Sequence, residues 1–76
     1  MKVQILGGGC AKCKKLEENA RAALASLGLE AEVIKVTESD AILDMGVMMT
    51  PALAIDGVVK SSGKVLTPEQ IIAILG

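Results

Sequence analysis

The chain has 76 residues, half of them hydrophobic (51%), 22% charged, with a net charge of −1. That length predicts one domain, residues 1–76, burying only about 60% of the surface its unfolded form exposes, and the hydrophobic fraction argues against disorder. The absence of Phe, Trp, Tyr and His removes the stacking platforms of single-strand binders, a histidine general base and every His-containing metal site, and the charge balance argues against nucleic acid.

In chain order, "KVQIL" (Lys2 to Leu6) alternates at period two, with Val3 and Ile5 on one face, and predicts a strand. Gly7, Gly8 and Gly9 end it in a flexible turn. From Ala11 or Lys12 the period becomes helical: Cys13, Leu16, Ala20, Ala23, Leu24 and Leu27 form one apolar stripe. Glu17 and Arg21 are spaced to pair on the outer face, and Gly28 supplies the stop. "EAEVIKV" (Glu30 to Val36) predicts a second strand, parallel to the first through a right-handed crossover.

Thr37, with Asp40 three residues on, resembles a capping box opening a short helix through about Met45, ended by Gly46. "ALAI" (Ala52 to Ile55) and "VVKS" (Val58 to Ser61) flank Asp56-Gly57, a strong hairpin signal. "TPEQIIAIL" opens a last helix with Thr67 as N-cap, Pro68 at the first position, Gln70 completing the box and Ile71, Ile74 and Leu75 facing inward. The order β-α-β-α-β-β-α predicts an α/β fold with a four-stranded mixed sheet in the order 2-1-3-4. The first two strands are parallel and the hairpin antiparallel to them. The first and last helices cover one face and the middle helix the other.

Both cysteines lie in "GGGCAKC" (residues 7–13). Cys10 falls just before the long helix and Cys13 in its first turn, at the start of the buried stripe. A helix N-terminus carries about half a positive charge, which stabilises a thiolate and lowers a cysteine pKa below its free value of about 8.5. Lys12, Lys14 and Lys15 add positive charge there. A Cys10 thiolate is placed to attack a partner's disulfide, and Cys13 to displace the partner.

"CAKC" after the first strand and "MTPALAIDG" entering the hairpin resemble the thioredoxin superfamily, most closely its small "redox-active disulfide protein" branch, over nearly the whole chain. The resemblance implies a minimal thioredoxin fold, with Cys10 the nucleophile and Cys13 the resolving thiol. It further implies that Pro51 is a cis-proline set against this pair and that Thr50 offers its backbone to an extended substrate segment. Ala11, Lys12 and Met49 complete the expected substrate-binding set. Four positions differ from the usual family pattern. Gly9 replaces an aromatic residue before the first cysteine, Ala-Lys replaces Gly-Pro between the cysteines, and Gln4 stands where a buried acid assists proton transfer. These differences bear on rate and redox potential, not on the geometry of attack.

Two other chemistries compete for the pair. A C-x-x-C ahead of a helix also suits Cu(I) chaperones, but these have a β-α-β-β-α-β order, whereas this chain ends in a well-capped helix. Structural zinc needs four ligands, which only a dimer would supply, to zinc or to an iron–sulfur cluster. An incidental structural role for the pair is the bland alternative. Met48 and Met49 serve either as core filling or as an adaptable rim beside Cys10. Gly7 to Gly9 lack the spacing of a phosphate loop, and Asp40, Asp44 and Asp56 read as cap, solvated face and turn.

The expectation is a thiol–disulfide oxidoreductase without cofactor or metal. Its partners are protein disulfides and a protein dithiol reductant, because no glutathione-binding residues are evident. No apolar run approaches a membrane span or a signal peptide, so a monomeric cytoplasmic protein is expected, in a compartment where the pair is not a permanent staple.

Overall fold

Seven elements make up the computed structural model, which describes residues 1–9 and 11–75: β1 (Lys2–Leu6), α1 (Ala11–Leu27), β2 (Glu32–Val36), α2 (Ser39–Asp44), β3 (Ala52–Ile55), β4 (Val58–Ser62) and α3 (Pro68–Leu75). The strands form one sheet in the order β2-β1-β3-β4. β1 runs parallel to β2, with Val3 opposite Val33 and Leu6 opposite Val36, and antiparallel to β3, with Val3 opposite Ile55. This is the expected arrangement of a minimal thioredoxin fold.

Strand alternation divides the core between two faces. Val3 and Ile5 of β1 and Leu53 of β3 point to one side, where they are buried with Leu16, Ala20, Ala23 and Leu24 of α1 and Ile71 of α3. Leu6, Ala52 and Ala54 point to the other, against Ile42 of α2 and Val47. Two helices therefore cover the first face and the short α2 the second. The Asp56-Gly57 hairpin has positive φ at both turn residues (50° and 86°), the type I′ geometry that matches strand twist and that Gly accepts without a steric penalty. The hairpin is tied to β1 by the Asp56 carboxylate, which accepts from the Lys2 backbone N–H at 2.7 Å.

The last helix forms the full reciprocal box. The Thr67 N–H donates to Gln70 Oε1 at 2.9 Å, and the Gln70 N–H donates to Thr67 Oγ1 at 3.2 Å. Ahead of it, Asn19 Nδ2 donates to the Leu66 carbonyl at 2.8 Å, fastening the α3 approach to α1.

The structure departs from the sequence expectations at several boundaries. β2 starts at Glu32, not Glu30, because α1 ends in a Schellman closure. There, Leu29 N–H donates to the Leu24 carbonyl and Gly28 N–H to that of Ala25. The turn occupies the residues up to Ala31. Leu27 leaves the buried stripe and is exposed. A 17-residue helix spans about 25 Å, against about 17 Å for a five-residue strand, so the end of α1 overshoots the sheet. The Thr37 capping box does not form: Glu38 is the N-cap of α2, without a side-chain cap bond. β4 extends to Ser62 and carries a bulge. Leu53 faces Ser61 while Ala54 faces Val59, which leaves Lys60 as the extra residue.

Candidate active site

β1 ends at Leu6 and the chain passes through Gly7 to Gly9 into α1, whose first residue is Ala11. Cys13 sits in the first turn of that helix and is 5% exposed, beginning the stripe that Leu16 and Ala20 continue. Cys10 precedes Ala11 in sequence and lies outside the described residues, as do the exposure and orientation expected of its thiol. Ala11 and Lys12 are exposed, as are Lys14 and Lys15. The first turn of α1 contains no acidic residue, so the lysines reinforce the positive end of the helix.

Gly7 occupies the space between the second cysteine and the segment ahead of β3. A Cβ built on Gly7 would overlap Cys13 Sγ, and it would lie 3.7 Å from Thr50 Cβ. Only the missing side chain lets Cys13 pack against the backbone leaving β1. The Thr50–Pro51 peptide bond is cis. Pro51 is fully buried, and its carbonyl accepts from Gly63 N–H at 2.9 Å, while Thr50 is exposed. Cys13, Gly7 and Thr50 are thus brought together from three separate parts of the chain.

Met48 and Met49 are not core filling. They are 88% and 66% exposed, since Val47 takes the buried position beneath α2 and the chain then turns outward toward Thr50. Met49 lies alongside Gly63, where an added Cβ would stand 3.2 Å from Met49 Cβ. Gln4, at the position of the family acid, is used by the hairpin: its Oε1 accepts from Gly57 N–H at 3.2 Å.

A small cleft beside Cys13 is lined by Ile5, Gly7, Gly9, Lys14, Glu17, Lys35 and Thr37. Three of these carry functional groups that the sequence reading did not place at the site. Glu17 was expected on the outer face, yet its side chain is only 15% exposed. Arg21 Nη2 holds one carboxylate oxygen at 2.9 Å, the expected i, i+4 pair, but Lys35 Nζ reaches the other from β2 at 3.1 Å. Hydrogen bonds from Lys35 and then Arg21 hold the Glu17 carboxyl below its ordinary pKa. The signals for this cluster were the i, i+4 spacing of Cys13 and Glu17 and a lone lysine inside the apolar run of β2. Among the described residues, no three cysteine or acidic side chains are grouped to hold a metal ion, and no helix is long and apolar enough to cross a membrane.

Comparison with known proteins bears on the same arrangement. A family model described as a thioredoxin domain matches residues 1–76. A thioredoxin of Methanothermobacter thermautotrophicus is 49% identical over 75 residues, covering 99% of this chain and 97% of that protein. A thioredoxin of Methanocaldococcus jannaschii is 39% identical over 69 residues, covering 91% of this chain and 79% of that one. With this fold and these relatives, the chain belongs to the thioredoxin family and is a thioredoxin-like redox protein.

Proposed function

We propose that this chain is a thiol–disulfide oxidoreductase that exchanges disulfides with partner proteins through Cys10 and Cys13. The observation that carries the reading is the packing of the buried Cys13, through the bare backbone of Gly7, beside Thr50. That packing sets the second thiol of a C-x-x-C next to a backbone segment open to an extended partner chain. Cys10, just ahead of the positive end of α1, is the nucleophile. Its thiolate attacks one sulfur of a partner disulfide, forming the Cys10–partner bond and expelling the other sulfur as a thiolate that takes up a proton. The Cys13 thiolate then attacks the Cys10 sulfur and expels the partner's remaining sulfur. The dithiol loses two electrons and two protons, and the partner disulfide gains them. Thr50 and Pro51 receive the partner backbone, with Ala11, Lys12 and the exposed Met49 at the rim. The flexible thioether of Met49 suits varied partner surfaces. A protein dithiol in a reducing cytoplasm regenerates the monomeric, cofactor-free protein.

The reading is tested against the metal-carrier alternative by loading reduced protein with Cu(I) or Zn(II) and desalting it beside a competing chelator. The expected outcome is no retained metal together with reduction of a protein disulfide, because one chain supplies two thiolates and no histidine. Stoichiometric metal surviving the column, with no disulfide reduction, would reverse the assignment.

A further inference from the structure

We propose that the hollow between β4 and α3 is a binding site for a phosphate group, held by Lys60 and Lys64 and by the hydroxyls of Ser61 and Ser62. The inference stands apart from the exchange reading, because this hollow shares no lining residue with the cleft beside Cys13.

The local sequence sets up the site. Between Asp56 and Glu69 the chain carries two lysines and no acid, although its net charge is −1. β4 is an edge strand, and its bulge at Lys60 places Ser61 opposite Leu53. Directly opposed residues of antiparallel strands project to the same face, so Ser61 lies on the face that Leu53 shares with α1 and α3. Gly63, at φ 72°, then turns the chain, and Lys64 and Leu66 lie on the way to α3. The result is an open hollow of about 400 Å³ lined by Lys60, Ser61, Ser62, Lys64, Leu66 and Ile74, within the size range of small-molecule sites. Both lysines are exposed, Leu66 is buried and Ile74 is half-buried, which gives a cationic rim over an apolar wall.

A lysine and a bulge on an edge strand block pairing with another sheet, and that role accounts for Lys60. It does not account for Lys64, which lies beyond the strand, or for Ser61. The Ser61 hydroxyl oxygen is buried with no hydrogen-bond partner, and no other buried side-chain oxygen or nitrogen among the described residues is left in that state. A buried hydroxyl has given up its bonds to water, and native structures rarely leave such a group unmet. An anion in the hollow offers it an acceptor after rotation about χ1. The charge is supplied by the lysines, neither of which is paired with a carboxylate among the described residues. Phosphate fits this donor set best. Its tetrahedral oxygens accept from donors on different sides of a hollow, which a planar carboxylate does less well, and its charge matches two ammonium groups.

The chain has no aromatic residue to report binding by fluorescence, so the test is a titration of the full chain followed by backbone amide NMR. Inorganic phosphate and adenosine monophosphate are added separately at constant ionic strength, with sodium chloride and adenosine as controls. Saturable shifts confined to residues 60–66 and the end of α3 are expected with both phosphates and with neither control. Equal affinities would assign the free ion as ligand, and tighter binding of the nucleotide a phosphorylated small molecule. Lys60→Gln and Lys64→Gln are each expected to weaken binding roughly three- to tenfold, whereas Lys60→Arg and Lys64→Arg retain it. Ser61→Ala is expected to weaken binding about threefold, yet to leave the free protein at least as stable as wild type, because the unmet hydroxyl is gone. A lowered melting temperature for Ser61→Ala would show that the hydroxyl is satisfied without a ligand and would count against the site. Shifts that fail to saturate, that appear equally with chloride, or that survive both glutamine substitutions would overturn the proposal, as would full affinity in Ser61→Ala.

Discussion

Cys10→Ser is expected to reduce disulfide reductase activity to background and to trap almost no partner, whereas Cys13→Ser accumulates covalent complexes that dithiothreitol releases. The asymmetry follows from the two positions. Cys10 is the residue ahead of α1, where unpaired backbone N–H groups and the neighbouring lysines stabilise a thiolate. Cys13 is inside the first turn and buried with Leu16, so in the proposed exchange it acts only after Cys10 has opened a disulfide. A Cys13→Ser protein therefore retains its nucleophile and stalls at the mixed disulfide. Alkylation of the reduced wild type below neutral pH should label Cys10 well before Cys13. Accumulation of complexes by Cys10→Ser, or equal alkylation of both thiols with a pKa near 8.5, would show that the roles are assigned wrongly.

Gly7→Ala is expected to be the most damaging change in the glycine run. Its new methyl group meets Cys13 Sγ, which must leave its buried position. Overpacking of this kind costs about 1–3 kcal/mol. In a domain of this size each kcal/mol lowers Tm by roughly 4–8 °C. Because the displaced atom is the sulfur to which we assign the resolving step, mixed disulfides should also persist longer in Gly7→Ala than in the wild type. Gly8→Ala is the control: an added Cβ there meets nothing within 4 Å, so its stability should stay within about 0.5 kcal/mol of wild type. Equal melting temperatures for the two variants would contradict the close approach of Gly7 to Cys13.

The architecture was legible because its signals were local and mutually consistent. Alternation in "KVQIL", the helical stripe beginning at Cys13, the Asp56-Gly57 turn and the Thr67 box each point to a single element, and all four form. The two capping boxes show where such reading fails. Thr67 has Gln70 three residues on, long enough to reach back to the Thr67 N–H. Thr37 has Asp40, one methylene shorter than the Glu or Gln the box requires, and the helix starts one residue later. Met48 and Met49 were ambiguous for a different reason. An apolar pair between two elements has no periodicity of its own, and only the placement of Val47 shows which residue fills the core. At the site, the dithiol motif and the Thr50-Pro51 segment could be read in the sequence. The cleft could not, because it joins Glu17 to Lys35, 18 positions later, across a helix–strand interface. Reading Glu17 from its own helix found Arg21 and stopped there. Gly7 was read as part of a flexible turn, but what it provides is space for Cys13.

The most direct measurement of the central claim is an equilibrium redox titration of the wild-type chain in defined thiol–disulfide buffers, with the products separated by mass. The account predicts a single two-electron transition between a dithiol and an intramolecular Cys10–Cys13 disulfide within one chain. A midpoint near about −270 mV would assign it as a reductant and one near about −120 mV as an oxidant. Independent oxidation of the two thiols, yielding only glutathione adducts or disulfide-linked dimers across the whole range, would contradict the account.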